Sequence, residues 1–201
     1  MPRVAGQIDV AKTEAILDAA SAVLAERGLA APMEEIARRA GVSKQTVYNH
    51  YGSKAELVRA LVERRVDSIT SPLREPGAEE HPEEALTAYA KTLLTVVVNK
   101  NYSLMRITIQ SAGEMPDLAR EVFEIGPMRS RAQLARFLEL ETRAGRMNVP
   151  DPVMAAEFFG GMVLGQRQTR ALLNLPSDLT EAEMDAMAAE AARIFMTAYA
   201  A

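Results

Sequence analysis

Cysteine is absent from the 201-residue chain and histidine occurs only twice. Without cysteine there can be no disulfide framework and no thiolate metal site, and a reducing interior is permitted. His50 and His81 are the two histidines, and no Glu-x-x-His pair exists, which excludes the usual di-iron carboxylate bundle. A glycine-rich phosphate loop and a nucleophile elbow are also missing. No metal, no cofactor and no enzymatic activity is therefore expected. Scattered carboxylates such as Glu139, Glu141, Glu183 and Glu190 read as solvated helix faces. Long apolar runs are lacking too: the longest, around Phe158 to Leu164, is too short to span a bilayer. The opening MPRVAGQIDVAKTE has no apolar core of the signal-peptide kind, so the expectation is a cytoplasmic protein with no membrane partner. No segment shows sustained strand alternation, and no internal repeat is found.

What is present is helical periodicity and uneven charge. Charged residues make up 25% of the chain and hydrophobic ones 48%, ordinary for a globular protein with room for a sizeable core. The formal net charge is -4, but residues 1–65 hold ten Lys or Arg against eight Asp or Glu, leaving 13 against 19 for the remainder. One end is thus mildly basic (+2) and the rest acidic (-6), as suits a chain of which only one end approaches phosphates.

The stretch MEEIARRAGVSKQTVYNHY, Met33 to Tyr51, organises that basic end. Ile36, Ala37 and Ala40 share one face of a first helix. Gly41 can take the left-handed conformation at its end, and Ser43 can cap the helix that follows. Small Ala37, Gly41 and branched Val47 match the spacing of a helix-turn-helix, whose second helix is offered to the DNA major groove. With Val47 inward, Lys44, Gln45, Thr46, Tyr48, Asn49 and His50 are left outside, nearly all able to hydrogen-bond. A short polar surface helix is the plainer alternative. Gln45 and Asn49 lie one above the other and carry the amides that pair bidentately with adenine, so they are expected to read bases, with Tyr48, His50 and Lys54 positioning the backbone.

Around this unit, Ile16, Leu17, Ala20, Val23 and Leu24 predict a supporting helix from Val10 to Arg27 that Gly28 ends. Pro32 suits the first turn of the next helix. Ser53 and Glu56 form a capping box for a fourth helix through Leu57, Val58, Leu61, Val62, Val66 and Ile69.

The segments ILDAASAVLAERG and MEEIARRAGVSKQTVYNHYGSKAELVRALVE resemble the N-terminal domain of the tetracycline-repressor (TetR) family of bacterial transcriptional regulators, over about Lys12 to Glu63. The resemblance implies that Lys44 to His50 enter the major groove, and that Tyr48 and Lys54 touch the phosphate backbone. It also implies a C-terminal domain that binds an effector, forms a dimer through its last two helices, and changes the separation of the reading heads when occupied. The chain departs from the family in two places. Ala30-Ala31-Pro32 stands where a capping Thr is usual, and Tyr51 where a Phe is usual.

The remaining periodicity predicts helices over Glu83 to Val98, Tyr102 to Ala112, Leu118 to Ala144 interrupted at Gly126-Pro127, Asp151 to Leu173, and Thr180 to Tyr199, with a loop after Ser71. The fold class is all-α with about nine helices: residues 1–55 a helix-turn-helix domain, and residues 56–201 a helical effector-binding and dimerisation domain. Flexible and bulky apolar groups crowd the middle region. Met105, Ile109, Phe123, Met128, Phe158 and Met162, with Gln166, are the candidate pocket for a small apolar or amphipathic effector, although such residues serve an ordinary core equally well. Tyr102, Arg106, Gln110 and Arg170 are further polar handles or plain surface groups. Gly160, Gly161 and Gly165, with Ala188 and Ala192, permit close helix approach at a dimer interface. The expected function is sequence-specific binding to a palindromic DNA operator as a homodimer, probed against the alternative of a helical protein-interaction adaptor that binds no DNA.

Overall fold

A computed structural model describes residues 10–98, 103–177 and 179–201. Eleven α-helices occur among them: α1 Val10–Arg27, α2 Met33–Arg39, α3 Lys44–His50, α4 Lys54–Thr70, α5 Pro82–Val98, α6 Ser103–Ser111, α7 Pro116–Phe123, α8 Arg129–Arg143, α9 Pro152–Leu164, α10 Arg167–Leu172 and α11 Glu181–Tyr199. Short 3-10 turns at Gly28–Ala30 and Ser71–Arg74 and a π-turn at Glu124–Met128 complete the list. No strand is present among the described residues beyond an isolated antiparallel bridge between Met147 and Ala200. Tyr102 lies outside the described residues.

Local chemistry sets most of the helix ends. Gly28 and Gly41 have φ of 70° and 66°, conformations that a side chain would disfavour. Ser43 and Asp151 accept from the backbone N–H groups of Thr46 and Met154, at 3.0 and 2.9 Å. Thr180 and Glu183 form a complete reciprocal capping box at the head of α11. The box expected at Ser53 is modified, since Glu56 reaches past Ser53 to the N–H of Gly52 at 2.9 Å. Pro32 precedes α2 with no side-chain cap, as the missing Thr implies.

Two helices depart from the periodicity. The segment from Asp151 breaks at Gly165, whose φ of 48° and ψ of -130° end α9 before α10 begins. Between α7 and α8, Pro127 sits inside the π-turn, so the missing N–H widens the helix instead of ending it.

The chain divides into two compact units, Met1–Leu61 and Val62–Ala201, so the division falls within α4. In the first unit Ile16, Val23, Ile36, Val47 and Leu57 have no exposed surface and form the core. Arg39 pairs with Glu26 at 2.6 Å and Arg27 with Glu35 at 2.9 Å, tying α1 to α2. In the second unit α5 packs on α11 and α9. A run of aromatic contacts crosses that core: Tyr89 to Phe159 at 6.2 Å, Phe159 to Phe195 edge-on at 5.0 Å, and Phe195 to Tyr199 at 4.7 Å.

Glu141 is not on a solvated face. It is 2% exposed, and its two oxygens accept from Arg146 Nε at 2.6 Å and Nη2 at 3.0 Å, which compensates the buried charge.

Candidate functional site

The seven residues of α3 stand on a single buried anchor. Val47 is wholly covered, while Lys44, Gln45, Tyr48 and Asn49 are exposed and Thr46 and His50 half-buried. The packing of α2 against α3 through the Gly41 turn sets the direction of this face. Gln45 Nε2 donates to Asn49 Oδ1 at 2.8 Å, joining the two amides into one surface. Lys44 pairs with Glu34 and lies 5.6 Å from the centre of the Tyr48 ring. That partner acts in both directions: the hydrogen bond from Lys44 holds the Glu34 carboxyl below its usual range, and Glu34 raises Lys44. Lys44 therefore presents its charge to solvent already paired with a carboxylate, which its sequence position does not show.

The flanking groups are held as well. Lys54 Nζ donates to the Leu29 carbonyl at 2.7 Å, leaving two of its three hydrogens for an outside acceptor. His50 Nδ1 lies 3.5 Å from Thr13 Oγ1, on α1. Such an array of amides, a phenol and two ammonium groups can bond base edges and phosphates together.

The second unit holds a cavity of about 290 Å³. Val62, Arg65, Val66 and Ile69 of α4 form one wall, and Met105, Val122 and Pro127 another. Tyr89, Ser130, Arg131 and Glu157 contribute polar atoms, with Gln168 beside them. Of the expected pocket residues only Met105 is among the lining. Ile109, Phe123, Met128, Phe158 and Met162 project outward, between 38% and 56% exposed, and Gln166 is also on the surface. Arg106 bonds Asn174 Oδ1 at 2.5 Å and Arg170 bonds the Pro176 carbonyl at 3.0 Å, so both serve the surface; Gln110 is likewise exposed.

Two of the expected interface residues need correction too. Ala188 and Ala192 are completely buried within one chain and offer no surface for a second copy. Gly160, Gly161 and Gly165 line the cavity, and within the chain a Cβ on Gly160 or Gly161 would meet nothing within 4 Å. Sequence reasoning missed the α4 wall of the cavity, although Val62, Val66 and Ile69 at helical spacing were legible as a buried stripe.

The model of bacterial regulatory proteins of the tetR family matches residues 16–61, and that of the AefR-like transcriptional repressor C-terminal domain matches residues 84–201. The chain belongs to the TetR family. A TetR-family transcriptional regulator from Mesorhizobium loti MAFF303099 has a solved structure similar over 97% of this chain and 100% of its own, with a TM-score of 0.79 and 29% identity. The flavonoid-responsive regulator FrrA is similar over 94% of this chain and 97% of its own, at 31% identity and a TM-score of 0.67. The transcriptional activator FasR of Mycolicibacterium smegmatis is 51% identical over 61 residues, 30% of this chain. That match spans only 28% of FasR, and the match to the Bacillus subtilis fatty acid metabolism regulator protein spans 43% of it, so the chain covers less than half of these curated relatives. TetR-family members are DNA-binding transcriptional regulators, not enzymes, and this chain is one of them. No helix among the described residues is long and apolar enough to cross a membrane.

Proposed function

We propose that the chain is a cytoplasmic, homodimeric repressor that binds a palindromic operator through α3 and is released by a small molecule held in the cavity of its second unit. The observation that carries this reading is the exposed face of α3, where Lys44, Gln45, Tyr48 and Asn49 surround a wholly buried Val47. Gln45 and Asn49 read base edges, while Thr46, Tyr48, His50 and Lys54 fix the helix against the phosphates. Repression in preference to activation is supported by the C-terminal match to a repressor domain and by the similarity to the repressor KstR2 of Mycobacterium tuberculosis; FasR, an activator, is the counterexample to be tested.

One helix-turn-helix offers too small a footprint for selective binding, so two copies are needed, with half-sites about one helical turn apart. The outer face of α9 suits their contact. Ala155, Ala156, Phe159 and Val163 fill the core, yet a second stripe at helical spacing, Met154, Phe158 and Met162, is also apolar and exposed. A helix apolar on both sides needs a second partner.

Release follows from linkage. A ligand that binds better to a DNA-incompetent arrangement weakens DNA binding by the same coupling free energy. Its position against Val62, Val66 and Ile69 favours such coupling, because α4 is the helix that continues from Lys54.

Titrating duplex binding against salt tests the reading. A steep fall of log affinity with log salt is expected, whereas a protein-interaction adaptor gives no duplex binding and no slope.

A further inference from the structure

The cavity also constrains the chemistry of what enters it. At about 290 Å³ it sits at the lower edge of the roughly 300 to 1,000 Å³ usual for small-molecule sites, which suits a compact ligand. Its polar atoms are few. Tyr89 Oη and Ser130 Oγ lie 3.2 Å apart and both residues are buried. Two hydroxyls bring two hydrogens, and the bond between them uses one, so the pair retains a donor for a ligand oxygen. Burial raises the Tyr89 pKa, which keeps the phenol protonated, and the Ser130 hydrogen bond and the charge of Arg131 oppose that shift only partly. Arg131 follows Ser130 directly on α8 and lines the same cavity as Tyr89. Arg131 Nη1 is 3.9 Å from Glu157 Oε1, a loose contact that a better-placed carboxylate can displace. With Arg65, the lining carries two cations against the single anion Glu157.

We propose that the effector is a compact, mainly apolar carboxylate whose head group is bound by Arg131 and the Tyr89–Ser130 hydroxyl pair, and whose body lies against the apolar wall that includes Val62 and Val66 of α4. This rests on the reading of the cavity as the effector site. Because Glu157 competes with the ligand for Arg131, it acts as a tuning residue: it weakens carboxylate binding while shielding the guanidinium in the empty state.

Calorimetric titration of the full-length protein without DNA tests this with matched pairs of benzoate and benzamide, cinnamate and cinnamamide, and 2-naphthoate and 2-naphthamide. At least one carboxylate is expected to bind about tenfold or more tightly than its amide, as one charge-assisted contact provides. Arg131→Gln should abolish that preference, and Glu157→Gln should strengthen carboxylate binding without affecting amides, with unliganded thermal unfolding recorded as a folding control. Amides binding as well as carboxylates, or a preference that survives Arg131→Gln, overturns the assigned head group but leaves the cavity as an effector site. Glu157→Gln gives the independent answer should Arg131→Gln not fold, and unchanged carboxylate affinity there counts against the proposal. If no member of the panel binds, the effector cavity itself is overturned.

Discussion

Gln45 Nε2 donates to Asn49 Oδ1 one turn further along α3, at 2.8 Å. The bond fixes both amides and leaves a carbonyl oxygen of Gln45 and amide hydrogens of Asn49 facing outward, the acceptor-and-donor pairing that adenine presents in the major groove. Replacing either residue by Ala should cost about 1 to 3 kcal/mol on the preferred duplex. Since each orients the other, the double substitution should cost less than the two single ones together, which a double-mutant cycle of duplex affinities measures.

Lys54 behaves differently. Its ammonium is tied to the Leu29 carbonyl near the start of α2, and the proposed role is contact with a phosphate and not with a base. Lys54→Met should weaken binding to all duplexes alike and reduce the salt slope by about one unit, as titrations of specific and unrelated duplexes at several ionic strengths would show.

The capping box at the head of α11 gives a pH-dependent contribution. Hydrogen bonds from the Thr180 N–H, then from its hydroxyl, hold the Glu183 carboxyl below its ordinary value. A lowered native pKa stabilises above the unfolded pKa, and the contribution is lost as pH falls through the native one. Denaturant curves at fixed protein concentration should show Glu183→Ala less stable than the parent at neutral pH, with the gap closing in acid. Thr180→Ala should cost about 1 kcal/mol at neutral pH.

Gly165 and Gly160 form a contrasting pair. The φ of 48° at Gly165 is a conformation that side chains resist, so Gly165→Ala should destabilise by about 1 to 3 kcal/mol. Gly160 lies inside α9 with open space where a Cβ would go, and Gly160→Ala should be neutral or stabilise by up to about 1 kcal/mol. Thermal unfolding at one protein concentration distinguishes them.

The outer face of α9 provides a test of assembly. Phe158 is 56% exposed, so Phe158→Glu should leave the fold intact while placing like charges opposite one another in a dimer. Sedimentation at micromolar concentration should show the parent as dimer and the variant as monomer.

Much of the fold was legible because helix ends are written locally. Ser43, Asp151 and Thr180 cap where their side chains can reach an unpaired N–H, and nothing distant decides it. The break at Gly165 was not legible, since a glycine within a periodic stretch serves close packing or a turn equally well. Methionines and phenylalanines at helical spacing gave no side: Phe158 and Phe159 are adjacent, one on the surface and the other in the core. In α11, Met184, Ala188, Ala191, Ala192 and Phe195 form one buried stripe, which marks Ala188 and Ala192 as core; small side chains alone suit a core and an interface equally well. Glu141 shows the same limit, because the arginine that compensates its burial lies beyond the end of its helix. At α3, by contrast, a single apolar residue among polar ones left only one way to face: Lys44, Gln45, Tyr48 and Asn49 are exposed as expected, while Thr46 and His50 are half-buried.

The central claim is that α3 reads DNA sequence. Selection of bound sites from random duplexes, run in parallel with the parent protein and Gln45→Ala, tests it most directly. The account predicts a palindromic motif for the parent and, for the variant, relaxed preference at one matched position in each half-site. Failure to enrich any motif, or an identical motif from both proteins, would contradict it.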